Sequence, residues 1–290
     1  MKLKNLVTGT VAVMALGTSG LAVAAIDGSP HDLGGTNAAD NGEVCVYCHT
    51  PHGADTAVTE SAPLWNKALP AGTAYTRYST TGSATLDGQE TTEIGSVSLA
   101  CLSCHDGTQA RDSVINAPGS GGYNATGAVL GGGGGTFIGN PPVRNLEEDL
   151  SDDHPIGIEY AGGACTTMTV AQGAVNQCDP ATIGGGDPDF QVVKSEEINT
   201  VPQYWVDVGS TVVGAPPVVG NTGANITPAD DVRQKTDMIL YARTFGTDTG
   251  PSVECGSCHD PHEGQANNQD VSFLRVSNVN SQICLACHIK

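Results

Sequence analysis

Four copies of the pattern Cys-x-x-Cys-His constrain this chain more than any other feature of its sequence. They are Cys45-x-x-Cys48-His49, Cys101-x-x-Cys104-His105, Cys255-x-x-Cys258-His259 and Cys284-x-x-Cys287-His288. Cysteines three residues apart lie about one helical turn from each other, so they can form thioethers to two vinyl groups at one porphyrin edge. The following histidine can then bind the iron. The pattern therefore predicts four covalently bound c-type haems with these histidines as proximal ligands.

Two other structures could use these cysteines, a zinc site and a disulfide framework. Zinc also binds Cys and His, but a zinc site does not require a histidine directly after every second cysteine. A disulfide framework would suit an exported chain with ten cysteines, but it leaves the four histidines unexplained. Haem accounts for both residue types.

The composition of the chain favours a fold organised around its cofactors. Only 4% of the 290 residues are aromatic, and 38 are glycine. With so few large apolar side chains, the haems should supply much of the buried surface. We predict a multihaem cytochrome c fold, mostly coil with short helices wrapped around a haem array and with little β-sheet.

The remaining histidines match the number of haems. The chain has eight histidines, and the four outside the motifs are His31, His52, His154 and His262. We predict that these are the distal iron ligands, so that every iron is bis-histidine ligated. Met168 and Met238 leave open one His/Met haem.

Two of these histidines occupy matching positions, in His49-Thr-Pro-His52 and His259-Asp-Pro-His262. A histidine three residues from a proximal ligand is too close to it to reach the opposite face of the same haem. His52 and His262 should therefore reach neighbouring irons. This arrangement would hold the haems close together, as rapid electron transfer requires.

With its C-x-x-C-H-x-P-H motifs and a Gly/Thr-rich stretch between the second and third motifs, the chain resembles the OmcE-type tetrahaem cytochromes. The resemblance covers residues 31–105 and 255–290. It implies an extracellular filament in which haems stack along the axis and one axial histidine comes from the adjacent protomer. Because His31 lies close to the mature N-terminus on a Gly-rich segment, it is the candidate for this inter-subunit ligand in a homopolymer.

The first 25 residues resemble an export signal. Lys2 and Lys4 precede an apolar stretch from Leu6 to Leu16, and small residues up to Ala24 and Ala25 provide a cleavage site. No other segment is apolar for long enough to suggest a transmembrane helix. With a net charge of −19, the chain should not bind nucleic acid. The predicted location is extracellular or on the cell surface, with the periplasm as the alternative.

We divide the chain into a signal peptide (1–25), an N-terminal region with two haems (26–110), a haem-free covering segment (111–254) and a C-terminal region with two haems (255–290). In the covering segment, Thr227, Pro228 and Gly246 provide start and stop signals for one helix near residues 228–243. Cys165 and Cys178 lie outside the motifs, and they should form a disulfide in an oxidising compartment, with two free thiols as the alternative.

Three functions fit these features. The first is a polymeric electron conduit, the second is a monomeric periplasmic electron shuttle, and the third is a multihaem reductase. Catalysis at a haem needs an open iron position, and the histidine count leaves none. We therefore predict electron transfer to redox partner proteins or extracellular acceptors, and no enzymatic activity.

Overall fold

A computed structural model describes residues 26–55, 64–82, 85–119, 121–139, 144–208, 233–234, 237–262, 273–276 and 278–289. The predicted export signal over 1–25 lies outside these residues. The α-helices are α1 (Ser96–His105), α2 (Cys255–Cys258) and α3 (Gln282–Leu285). The strands are β1 (Ser113–Asn116), β2 (Tyr123–Val129), β3 (Ile158–Glu159), β4 (Asn176–Cys178), β5 (Val193–Ile198), β6 (Val201–Val206), β7 (Met238–Phe245) and β8 (Asp248–Val253). Short 3₁₀ helices cover Ala38–Asp40, Cys45–Tyr47, Tyr78–Thr81, Tyr160–Gly163, Pro180–Thr182 and Val279–Ser281.

The strands form two antiparallel sheets. A six-stranded sheet has the order β3-β8-β7-β6-β5-β4, and β1 pairs with β2 in a separate hairpin. Strands β5 and β6 are joined by Asn199 and Thr200, which both have positive φ angles, 52° and 66°. Positive φ at both central residues is the geometry of a tight hairpin turn whose twist matches that of the flanking strands.

The prediction of a sheet-poor fold is wrong. Strands account for 26% of the described residues and helices for 17%, and all six strands of the larger sheet lie in the segment 111–254, which was expected to be a covering segment. Consecutive residues Val193, Lys194 and Ser195 in β5 are buried, as are Tyr204, Trp205 and Val206 in β6. Because both faces of these strands are covered, the alternating pattern that identifies half-exposed strands is missing from the sequence.

The predicted helix near 228–243 is also wrong where the structure can test it. Met238–Phe245 is the central strand β7, which pairs with β6 and β8, whereas residues 228–232 lie outside the described part. Gly246 was interpreted as a helix stop, but it lies in the turn between β7 and β8 with a φ of +64°. A glycine with positive φ can end a helix or form a turn between two strands. Here the pairing of β7 with β6 and β8 makes it a turn.

The core consists of three clusters, and each includes residues of at least one haem motif or their neighbours. The largest lies under the six-stranded sheet, with Val193, Tyr204 and Met238, and Ala286 of the fourth motif packs into it. A second cluster packs against α1. A third joins Val46 and Tyr47 of the first motif to Val114 of β1. The protein thus has an apolar core of its own.

Cys165 and Cys178 form a disulfide with a Cα–Cα distance of 5.8 Å. Both are buried within the largest cluster, so the bridge joins the last residue of β4 to the segment that follows β3. No helix in the described part of the chain combines the length and apolar character needed to cross a bilayer.

Candidate functional site

The cysteine and histidine of each motif lie on one helical turn. The His49 N–H donates to the Cys45 carbonyl over 2.8 Å, the His259 N–H to Cys255 over 3.0 Å, and the His288 N–H to Cys284 over 2.9 Å. The second motif forms the C-terminal end of α1. This local geometry places the two thiols of each pair about one turn apart, and the eight motif cysteines are not disulfide-bonded.

The first pair of imidazole rings joins distant parts of the chain. The His49 and His262 ring centroids are 6.0 Å apart, and the ring planes differ by 18°. With metal–nitrogen distances of roughly 2.0–2.1 Å, two imidazoles on opposite sides of one iron have their centroids about 6.3 Å apart. His262 follows the third motif, and the structure places it beside the proximal histidine of the first.

The second pair consists of His31 and His105, whose ring centroids are 6.2 Å apart with an interplanar angle of 74°. Phe273 also stacks on His31, with ring centroids 4.3 Å apart and an interplanar angle of 5°. Burial, with smaller contributions from His105, His262 and His259, lowers the pKa of His31 to about 4. A neutral imidazole is the form that binds a metal.

The hydrogen bonding of His105 leaves one ring nitrogen available for a metal. Its Nδ1 donates to the Arg144 carbonyl over 2.8 Å, because a carbonyl can only accept. The proton is thereby fixed on Nδ1, and Nε2 keeps its lone pair. Burial is also the main cause that lowers the pKa of His105, which favours the neutral ring.

His31 lies next to a motif histidine of its own chain. Its ring is beside His105 and is stacked on Phe273. The resemblance makes His31 the candidate ligand for a haem of an adjacent protomer, and that role stays a prediction. The segment that begins at Ile26 folds back onto the second motif, a contact that the Gly-rich sequence did not reveal.

The other two spare histidines lie on the surface. His52 and His154 are exposed, and His154 Nδ1 lies 3.0 Å from the carbonyl of Pro155. Neither has a motif histidine as a ring neighbour within the described residues. His288 has its ring against Phe190, with centroids 4.4 Å apart. The structure thus brings together two of the four predicted distal ligands with motif histidines.

Thiols of motifs that are consecutive in sequence lie near enough to influence each other's pKa values. Burial raises the pKa of Cys48 to about 12, with a further contribution from Cys104 of the second motif. A hydrogen bond between Cys101 and Cys255 joins the second motif to the third. Burial raises the pKa of Cys258 to about 11, and Cys284 of the fourth motif contributes. Each motif therefore has a thiol close to one of the next motif in sequence, and His262 brings the third motif close to the first.

A buried ion pair lies at the junction of the second and third motifs. Arg243 Nε is 2.9 Å from Glu254 Oε1, and Ser98 of α1 donates to the other carboxylate oxygen. The Cys255 N–H donates to Ser98 Oγ over 3.0 Å. Burial raises the pKa of Glu254, while Arg243 and Ser98 oppose this rise. The network fixes α1 against α2.

Phe273, Arg243 and Glu254 also lie at the site, although no sequence pattern pointed to them. Glu254 directly precedes a motif, which is a weak signal, whereas Phe273 and Arg243 reach the site only through tertiary contacts. Among the described residues, no three His, Cys, Asp or Glu side chains converge as ligands for a bare metal ion. In the first and second motifs, two thiols one turn apart are followed by a histidine that has a second imidazole about 6 Å away. This arrangement would fit a covalently attached haem.

No protein-family model matches the chain, and no curated protein matches it. Its function is therefore argued from the site alone.

Proposed function

We propose that this chain is an electron-transfer protein that holds four c-type haems in a row. The observation that carries the proposal is the pair of imidazole contacts, at 6.0 Å between His49 and His262 and at 6.2 Å between His31 and His105. Each joins a motif histidine to a spare histidine far away in sequence. Such spacing suits axial ligation of one iron from both sides.

The chain's own groups have defined tasks in this proposal. The eight motif thiols form thioethers, and the four motif histidines are the proximal ligands. His262 would be the second axial ligand of the first iron, and His31 that of the second. Neither iron would then keep an open coordination position, which argues against catalysis there. A bound haem supplies a one-electron carrier at each motif. The contact between Cys101 and Cys255 sets the attachment edges of the second and third haems next to each other.

We further propose that copies of the chain assemble into a filament outside the cell. His259 and His288 remain as proximal ligands, and the exposed His52 and His154 remain as distal ones. Since both of these lie on the surface, a haem of a neighbouring copy is within the reach of such a side chain. His52 and His154 therefore replace His31 as the candidate ligands between subunits. A monomeric periplasmic shuttle is the alternative.

Haem content is the first test. The chain should be expressed in a host that attaches c-type haem, purified, and analysed by pyridine haemochrome absorbance and intact mass. We expect four haems per chain, and three after the substitution of Ser for both cysteines of one motif. A mature protein without covalent haem would refute the proposed function.

The ligand assignment can be tested with His262. His262→Ala should convert one haem of four from low spin to high spin in the EPR spectrum, whereas His262→Met should restore a low-spin haem with a higher potential. An unchanged low-spin spectrum in His262→Ala would contradict the pairing with His49.

Electron microscopy of the secreted fraction distinguishes filament from monomer. In a filament, His52→Ala or His154→Ala should shorten or abolish the assemblies, and His31→Ala should not.

A further inference from the structure

The segment from Trp65 to Lys67 lies between the first and second motifs. Trp65 forms a β-bridge with His49, and the Asn66 N–H donates to the Cys48 carbonyl over 2.9 Å. The indole Nε1 of Trp65 donates to Ser103 Oγ over 3.2 Å, and Ser103 lies between the two cysteines of the second motif. The residue that follows, Lys67, therefore enters the protein between two haem sites.

Lys67 is buried, with 1% of its surface exposed. Its ammonium group donates to three backbone carbonyls, at 3.3 Å to Ala110, 2.8 Å to Arg111 and 2.6 Å to Ser113. An ammonium group has three donors, so each one has an acceptor. Carbonyl groups stabilise the cation without neutralising its charge.

Lys67 differs from the other buried cations. In the described part of the chain, the buried basic residues are Lys67, Lys194 and Arg243. Lys194 Nζ lies 2.8 Å from Asp207 Oδ2, and Arg243 Nε lies 2.9 Å from Glu254 Oε1. Within the same residues, Lys67 has no carboxylate partner. Its ammonium group therefore contacts neutral carbonyl acceptors, and the nearby buried Asp106 acts on Cys104 with the opposite sign.

The charge acts on thiols of both neighbouring motifs. Burial raises the pKa of Cys48 and of Cys104, and Lys67 opposes the rise at each of them. The positive charge thus lies near the predicted attachment points of the first and second haems.

We propose that Lys67 is a fixed internal charge that raises the reduction potentials of the first two haems relative to the other two. The inference rests on the proposed electron-transfer function. Reduction adds one electron to a site, and a positive charge held nearby in a medium of low dielectric constant stabilises the reduced form. Electrons then move preferentially toward the end of the row that holds the first two motifs.

The test is a spectroelectrochemical titration of the haem-loaded full chain carrying Lys67→Met, which keeps an unbranched side chain and removes the charge. Two of the four midpoint potentials should shift downward, and the other two should shift less. Lys67→Arg should restore the original potentials. Lys67→Gln is also neutral but can still donate hydrogen bonds to the carbonyls. It should reproduce the downward shift of the two potentials, and it replaces the Met variant in the test if that variant does not fold.

Lys194→Met is the matched control, because Lys194 is equally buried but paired with Asp207 in the sheet. It should leave the separation between the two pairs of potentials unchanged. Four bound haems with unaltered potentials in both neutral Lys67 variants would overturn the inference and leave the proposed function intact. A chain that binds no haem would instead refute the proposed function.

Discussion

Removal of one charge from the Arg243–Glu254 pair should destabilise the fold strongly. The two side chains are 6% and 0% exposed, and the Nε–Oε1 distance is 2.9 Å. Arg243 cannot move easily toward solvent, because its guanidinium fits against Gly95, where an added Cβ would be only 1.6 Å from Nη2. Breaking a buried pair from one side leaves an uncompensated charge and typically costs about 3–5 kcal/mol.

We therefore expect Glu254→Met and Arg243→Met each to lower the free energy of unfolding by about 3–5 kcal/mol. The double variant has no unpaired charge and two side chains of similar volume, so it should lie within about 2 kcal/mol of the original chain. Denaturant unfolding followed by far-ultraviolet circular dichroism measures all three. The reasoning would be refuted by single variants that lose less than about 1 kcal/mol, or by a double variant as unstable as the sum of the singles.

Three further predictions concern spectra, pH and potential. The 74° angle between the His31 and His105 rings should give a highly anisotropic low-spin EPR signal at the second haem. The 18° angle between the His49 and His262 rings should give a rhombic signal at the first. His31→Ala should remove the anisotropic signal alone. Burial raises the pKa of Asp237 to about 6, above its value in the unfolded chain, so stability should fall as the pH rises from about 4 to 6. Asp237→Asn should abolish this dependence and make the chain roughly 3 kcal/mol more stable than the original at pH values above 6, as measured by unfolding at pH 4.5 and 7.5. Bis-histidine ligation in an acidic protein should place all four midpoint potentials below zero against hydrogen, and a titration with any of them well above zero would contradict that ligation.

The local shape of each motif could be predicted from sequence because it depends on a single turn. The N–H of His49, His259 and His288 returns to the first cysteine of its own motif, which the spacing alone requires. The count of eight histidines for four motifs likewise predicts a second imidazole for each iron. They cannot say that His105 faces His31 and that His49 faces His262, because those partners depend on how the chain folds back.

The sheet escaped prediction for a different reason. The β5–β6 turn consists of Asn199 and Thr200, and neither is the glycine that normally marks such a hairpin. In β7, the residues from Met238 to Leu240 are buried consecutively, so the strand has no alternation. Low aromatic content was interpreted as a lack of protein core, but Tyr160 and Tyr204, together with aliphatic side chains around one disulfide, form that core.

The presence of a sheet changes what positions the row of haem sites. Strand β8 ends at Val253, and Cys255 begins the third motif two residues later, so the direction of the strand sets the entry of that motif. Ala286 and Cys287 of the fourth motif pack on the same core. Glu254, between strand and motif, is tied through Ser98 to α1 and the second motif. The sheet therefore positions the third motif directly, the second through the Glu254–Ser98 hydrogen bond and the fourth through packing on the core. The first motif is held instead by the segment from Trp65 to Lys67, through the β-bridge of Trp65 with His49 and the hydrogen bond of Asn66 to Cys48.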